Sequence, residues 1–288
     1  MIIVKLIGGL GNQMFQYSLG RSLSLRINEE FKLDITGFDT YKLHSYSLGN
    51  FNIVENFATD DEIRPFLKYR RKPGRKWFLY NRIISNRSKY ATDELFHFQE
   101  HLLSLKNVYL DGYWQSEKYF KDFEDTIRND FTTKGELKNK DAEVARQISE
   151  TNAVSVHIRR GDYVSNPVNV SFYGSFGPEY YAEAERILSE KVGKPHFFVF
   201  SDDPKWVKEN IIFKHDTTYV NHNDTTKNFN DLHLMSLCKH HIIPNSSFGW
   251  WGAWLDKNPN KIVIAPKQWF QKPSVNTKDV IPDTWITI

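Results

Sequence analysis

The sequence predicts an α/β protein of two parallel-sheet lobes, with its active site in the cleft between them. Three observations carry this. The chain opens on a strand, a glycine-rich turn and a helix; from Ala153 onward apolar runs alternate with helical patterns; and each polar motif of the second half stands directly after an apolar run. Strands alternating with helices imply βαβ units, whose ligands collect at the carboxyl ends of the strands.

Taken in order, IIVKLI is the first strand and ends in GGLGNQ, after which MFQYSLGRSLSLR has helical periodicity. Gly8, Gly9 and Gly11 let the backbone turn tightly or approach a ligand, because a side chain there would clash. FKLDI follows as a second strand. The stretch from Thr40 to Leu105 is irregular, aromatic and basic, and supports no assignment beyond some helix. NVYLDGYWQS reads as a strand leading into a loop, and YFKDFEDTIRNDF as an amphipathic helix. The polar stretch TTKGELKNKDAEVARQISETN carries a helix from Asp141 to Glu150 and separates the halves, giving an N-terminal lobe over 1–150 and a C-terminal lobe over 151–288. In the second half AVSVHI, HFFVFS, TTYV, HIIP and KIVIAP read as strands. PEYYAEAERILSEKV, PKWVKEN, NDLHLMSLCKH and SSFGWWGAWL read as the helices between them.

The composition is that of a globular protein rich in rings, with 15% aromatic residues in 288. A net charge of +3 is too mild to imply nucleic acid, but it fits an anionic ligand held by local arginines. From Arg64 to Lys89 the chain carries many basic residues and no acid. It reads first as a solvated basic surface and second as peripheral contact with an anionic membrane. Cys238 is the only cysteine, which excludes an intramolecular disulfide and fits a reducing compartment. The N-terminus lacks the pattern of a signal peptide, and no apolar run approaches the ~18 residues that span a bilayer. The expected location is therefore cytoplasmic, with a membrane-peripheral position as the second choice.

Three polar motifs on one sheet edge define the candidate site: HIRRGDY, SDD and NSSFGWWG. A guanidinium is a planar fork of donors matched to phosphate, so an arginine at a strand end reads as a diphosphate clamp. Strand alternation sends Arg159 and Arg160 to opposite faces, so one of them meets the ligand while the other holds Asp162; His157 lies on the same side as Arg159. Asn245 and Ser246 can cap the next helix, leaving the amides of Ser247 and Phe248 for an oxyanion; an ordinary N-cap would use the same residues. Asp202, Asp203 and Asp231 are candidates for selecting a base, since a carboxylate accepts from the N1 and N2 donors of guanine. SDDP is equally a helix start, with Asp as N-cap and Pro at the first position. The tryptophans of GWWGAW are core by their spacing. No Asp-x-Asp pair occurs and His240 adjoins His241, so no metal is expected. GGLGNQ lacks the third spaced glycine of a dinucleotide fingerprint.

Together GGLGNQMFQY, HIRRGDY, SDD followed by Trp206, and DLHLMSLCKHHIIPNSSFGWWGAWL resemble family 11 of the glycosyltransferases, the α-1,2-fucosyltransferases, in order from Gly8 to Leu255. The resemblance implies a GT-B fold of two Rossmann-like lobes. It also implies GDP-L-fucose as donor, inverting transfer to the 2-hydroxyl of a galactose in a glycan acceptor, and no metal or other cofactor. On the matching positions it places Arg159 on the β-phosphate, His157 by the nucleoside, Asp231 on guanine, and Ser246 and Ser247 on the phosphates. Asn12 lies near the reacting centre. Gly11, Asp203, Asn245 and Phe248 complete the donor-binding set. Asp162 is either the general base or a brace for Arg160, and the second reading is preferred; Glu179 and His44 are other candidate bases. Acceptor-binding residues are not readable. The resemblance, with no anchor in the sequence, points to a bacterial enzyme of surface-glycan assembly at the inner membrane. Two alternatives stand beside it: a transferase for another GDP-sugar or linkage, and a catalytically silent sugar-binding protein. Arg159, Asn12 and the NSSF segment favour the enzyme, because a lectin has no use for a diphosphate clamp.

Overall fold

A computed structural model describes residues 1–70, 89–93, 96–161, 170, 172–271 and 275–288. Two compact units divide the chain: residues 1–134 with 278–280, and residues 135–277 with 281–288.

The first unit holds β1 (Ile2–Lys5), α1 (Leu10–Ile27), β2 (Phe31–Asp34), α2 (Asp60–Leu67), β3 (Tyr90–Thr92), β4 (Val108–Asp111) and α3 (Glu124–Asp130). Its four strands pair in parallel in the order β2-β1-β4-β3. α1 begins earlier than its apolar pattern, within the glycine turn itself. It is buried on nearly every side, and Asn28 ends it in the left-handed conformation, donating its amide to the Ser24 carbonyl. The described residues of the stretch that resists reading form short 3-10 turns plus α2 and β3. α2 starts on a capping box, in which the Thr59 hydroxyl accepts from the Glu62 amide and the Glu62 carboxylate accepts from the Thr59 amide. Buried Asp279, from the distant 278–280 segment, accepts from the Phe98 amide at 3.1 Å and pairs with Lys118.

The second unit holds α4 (Lys140–Glu150), β5 (Ala153–Ile158), α5 (Pro178–Val192), β6 (His196–Ser201), α6 (Pro204–Asn210), β7 (Thr217–Val220), α7 (Asn228–Leu237), β8 (His240–Ile242), α8 (Ser247–Leu255), β9 (Val263–Ala265) and β10 (Ile286–Thr287). All six strands are parallel, in the order β7-β6-β5-β8-β9-β10. Counted from β5, this is the 3-2-1-4-5-6 order of a doubly wound Rossmann-type sheet. Period-two alternation divides the core between its faces. On β6, Phe197 and Val199 meet α5 and α6 on one face, while Phe198 and Phe200 meet α4 and α7 on the other. α4 buries Val144 and Ile148 in that second layer, so it belongs to this unit, and the break falls at 134 and not at the sequence-based 150. Trp250, Trp251 and Trp254 pack in the core, as their spacing indicates.

Candidate functional site

In a doubly wound sheet the crevice opens where the strand order reverses, outside the carboxyl ends of the two central strands. In the second unit these are β5 and β8. HIRRG spans the end of β5 and PNSSFG lies just after β8, so topology alone brings together two of the three motifs.

At the end of β5 the Arg159 guanidinium lies 2.6 Å from Asp202 Oδ2, both side chains partly exposed. The other carboxylate oxygen of Asp202 accepts the Arg160 amide at 2.8 Å. Asp202 therefore fixes the strand-to-loop junction and orients the Arg159 guanidinium, a planar fork of donors suited to an oxyanion. Arg160 points elsewhere: its guanidinium stacks 3.6 Å from the centre of the Trp206 ring and meets Asp203 Oδ2 at 3.3 Å. Arg160 is braced by Asp203 and Trp206, which follow β6, and its expected contact with Asp162 falls outside the described residues. Asp203 also caps α6, its Oδ1 accepting from the Trp206 amide at 3.2 Å, with Pro204 at the first helical position. Both of its oxygens are thus engaged within the loop. Gly161 has no room for a side chain, since a Cβ there would lie 2.6 Å from Asp202 Oδ2.

At the end of β8, Ser246 is the N-cap of α8 in extended conformation, and its side chain makes no capping bond. The first-turn amides of α8, including those of Ser247 and Phe248, therefore lack the usual side-chain acceptor, and the positive end of the helix dipole adds to them. The preference for oxyanions at such a terminus follows. Asn245 is buried and donates to the carbonyls of Tyr173 (2.7 Å) and Trp269 (2.9 Å), so it anchors the turn. His157, 6% exposed, lies against Phe248, its Nδ1 buried without a hydrogen-bond partner and directed at the start of α8. A Cβ on Gly249 would come within 2.6 Å of that nitrogen, so helix and imidazole are in close contact only because residue 249 is glycine. Burial, with the Arg159 charge beside it, pushes the His157 pKa down to about 3, so the ring is neutral at physiological pH.

Beneath this pair, on the same face of β5, Ser155 Oγ lies 2.7 Å from His241 Nδ1, and His241 Nε2 lies 3.1 Å from Asp256 Oδ2. The residue types are those of a hydrolase triad, but the ring is fully buried and reversed, with the carboxylate on Nε2. The chain of bonds ties β5 and β8 to the end of α8 and holds that helix in place.

Asp231 stands in the first turn of α7, where Asn223 Nδ2 donates to its Oδ1 at 2.8 Å. Asn223 and Asn230 also donate to buried Asp141 (2.7 and 2.9 Å), which His222 Nε2 contacts at 2.8 Å. Burial raises the Asp231 pKa to about 6, the Asn223 bond opposing it.

In the first unit the order reverses between β1 and β4. Gly8 has φ +85, and buried Gln13 clamps the turn: its Nε2 donates to the carbonyls of Gly8 (2.8 Å) and Ser45 (2.9 Å), and its Oε1 accepts the Ser47 amide. His44 is thereby carried beside Gly9. Gly11 is buried in the first turn of α1. Asn12 Oδ1 accepts from Gln115 Nε2 at 2.9 Å, which joins the glycine turn to the loop after β4. Glu179 is exposed in the first turn of α5, curled over Gly177. Gln13, Gln115 and the Asp202 brace escaped sequence reading. Gln13 was in view as part of GGLGNQ, and Gln115 as part of DGYWQS. Among the described residues no group of three His, Cys, Asp or Glu side chains could hold a metal ion, and no helix is long and apolar enough to cross a membrane. Most of the basic stretch after Arg64 lies outside the described residues.

The family model Glycosyl transferase family 11 matches residues 1–288. The chain is 38% identical over its whole length to Alpha-1,2-colitosyltransferase of Escherichia coli, covering 99% of that protein. It is 32% identical over 98% of its length to the O-antigen biosynthesis glycosyltransferase WbnK of Escherichia coli, again covering 99%. Among solved structures, a mutant of Arabidopsis thaliana FUT1 in complex with GDP matches with a TM-score of 0.51, covering 95% of this chain and 72% of that one at 10% identity. That likeness concerns the fold.

Proposed function

Because the chain belongs to glycosyltransferase family 11, we propose that it transfers L-fucose from GDP-L-fucose to the 2-hydroxyl of a β-galactoside in a glycan, with inversion at the fucose anomeric carbon. The observation that carries the reading is the placement, at the β5/β8 reversal, of Arg159 after one strand and of the α8 start, with no side-chain cap bond from Ser246, after its neighbour. A departing diphosphate needs donors from two directions, and these two elements supply them from two strands.

As the sugar–phosphate bond breaks, negative charge grows on the β-phosphate oxygens. Donors already fixed by Asp202 and by the helix stabilise that charge without reorganising. Neutral His157 adds no second cation, so its part is to shape the nucleoside side of the site and to pack against the α8 start. Asp231 accepts from the base, which favours guanine over adenine. We assign the leaving-group charge to Arg159 and the α8 amides and give no step to a divalent cation; turnover is expected to survive EDTA unchanged. A bacterial surface glycan is the acceptor class that the O-antigen relative supports.

A second reading comes from the colitosyltransferase relative. Colitose is L-fucose without its 3-hydroxyl. A site built to hydrogen-bond that hydroxyl would reject the deoxy sugar by about 10⁴, whereas one that merely accommodates it would discriminate by about 10² or less. Transfer to lactose and to Galβ1,3-linked acceptors, assayed with GDP-fucose, GDP-colitose, GDP-mannose and UDP-galactose, decides between them. Activity with GDP-fucose and a 1,2 linkage by NMR is the expected result. Activity confined to GDP-colitose replaces the donor, and activity confined to UDP-galactose overturns the proposal. GDP binding without transfer from any of these donors would favour the silent sugar-binding alternative.

A further inference from the structure

The loop after β4 is held in a costly conformation. Trp114 is fully buried and left-handed at φ 56, and Phe96 is also left-handed at φ 52; neither is glycine. Both amides are collected by one carboxylate. Asp93, just past β3, accepts the Trp114 amide at 2.9 Å together with those of Phe96 and Tyr113. Gly112 closes the same turn, since a Cβ there would lie 2.4 Å from Asp93 Cβ and 2.8 Å from its backbone nitrogen. The strained loop therefore has one stable form, set by Asp93, and that form delivers Gln115 to Asn12.

The bond has a direction. Gln115 Nε2 donates and Asn12 Oδ1 accepts, so the Asn12 oxygen is occupied and its NH₂ is left as the group with hydrogens to give. That nitrogen stands over bare Gly8, 2.9 Å from where a Cβ would sit. We propose that Gln115 is a positioning residue that holds the Asn12 amide with its nitrogen toward the substrate, and that Asp93 fixes Gln115 in turn. The inference rests on the transferase reading above, in which Asn12 lies at the reacting centre. It makes Asn12 a hydrogen-bond donor to an oxygen of the sugar nucleotide.

Gln115→Glu tests the orientation. A carboxylate cannot donate to Oδ1, so Asn12 turns over to give its NH₂ to Glu and presents an acceptor to the substrate. Turnover should fall about tenfold or more with KM for donor and GDP affinity within about twofold, since the lost interaction belongs to the transition state. Gln115→Ala, which only loosens the amide, should lose less than Gln115→Glu. Asn12→Ala with Gln115→Glu should lose no more than Asn12→Ala alone, because the two act as one unit. Wild-type turnover in Gln115→Glu, an equal loss in Gln115→Ala, or losses that multiply in the double variant would overturn the proposal. Should Gln115→Glu not fold, Gln115→Ala paired with Asn12→Ala gives the same coupling. An inactive wild-type protein sinks the transferase reading and this one together; an active wild type with an unaffected Gln115→Glu sinks this one alone.

Discussion

Replacing Asp231 by Asn should move stability and ligand binding in opposite directions. The folded protein holds this carboxyl at a pKa of about 6, against 3.8 unperturbed, chiefly because the site strips it of water. Between those values the folded state binds more protons than the unfolded one, so folding weakens as pH rises through the window. The accumulated cost at pH 7 is about 3 kcal/mol at most, from roughly two units at 1.4 kcal/mol each. Asn keeps an oxygen for the Asn223 bond and removes the charge. Asp231→Asn should therefore be more stable than wild type at pH 7 and closest to it near pH 4, as read by urea unfolding. GDP binding should weaken, because hydrogen bonds to a charged acceptor contribute about 1.5–3 kcal/mol and their loss costs about 10- to 100-fold in affinity. Wild-type affinity should itself drop about tenfold from pH 7 to pH 5 as the carboxylate is protonated, beyond any change in the variant, where this component is absent. Calorimetry at both pH values on both proteins also cancels the ligand's own titration and that of nearby His233. An Asp231→Asn protein that is less stable at pH 7, or that binds GDP with wild-type affinity and an unchanged pH profile, would refute the reasoning.

Arg159→Ala should lower turnover about a hundredfold or more, the usual loss for one preorganised donor, in steady-state kinetics with saturating donor; near-normal turnover would remove Arg159 from the site. Gly249→Ala sets two effects against each other: alanine normally gains about 0.5–1 kcal/mol in a helix interior, but here its Cβ meets a buried ring, an overpacking cost of about 1–3 kcal/mol, so net destabilisation is expected in denaturant unfolding. Below pH 6.5 the unfolded chain protonates His157 while the folded protein, with its pKa near 3, does not. Stability should thus fall by up to about 1.4 kcal/mol per pH unit from this group alone, and His157→Gln should show a shallower acid slope.

The second unit was legible because its strands are short, mostly apolar runs bounded by Gly, Pro or polar turns, and α5 and α6 carry Pro in their first turns. The first unit was less so. Its β3 is three residues long and several of its described connections contain 3-10 turns, which carry no period to detect, although the capping box at Thr59 and Glu62 marks α2 in plain letters. β10, two residues long, was missed for the same reason. The site divides along a similar line. The grouping of HIRR with NSSF followed from strand order and could be anticipated. The contact of Arg160 with Asp203 could not, because Asp203 stands 43 residues on and reaches it from the end of the neighbouring strand β6. Local sequence favours local partners; parallel strands bring in remote ones. The burial that raises Asp231 and lowers His157 is likewise a property of the packed layers and has no signature in the residues themselves.

The C-terminal course of the chain bears on how the two units could be exchanged between relatives. Residues 278–280 belong to the first unit, while 281–288 return to the second and supply its edge strand β10. A single crossover near residue 134 would therefore bring in Asp279 from the other parent, to sit against Lys118 and Phe98 of the first unit. A hybrid made with one junction carries a foreign plug in its own N-terminal half. One with three junctions, at 134, 277 and 280, keeps each unit's residues of common parentage. A C-terminal truncation meant to trim the second unit would, past the eighth residue from the end, begin to unfasten the first.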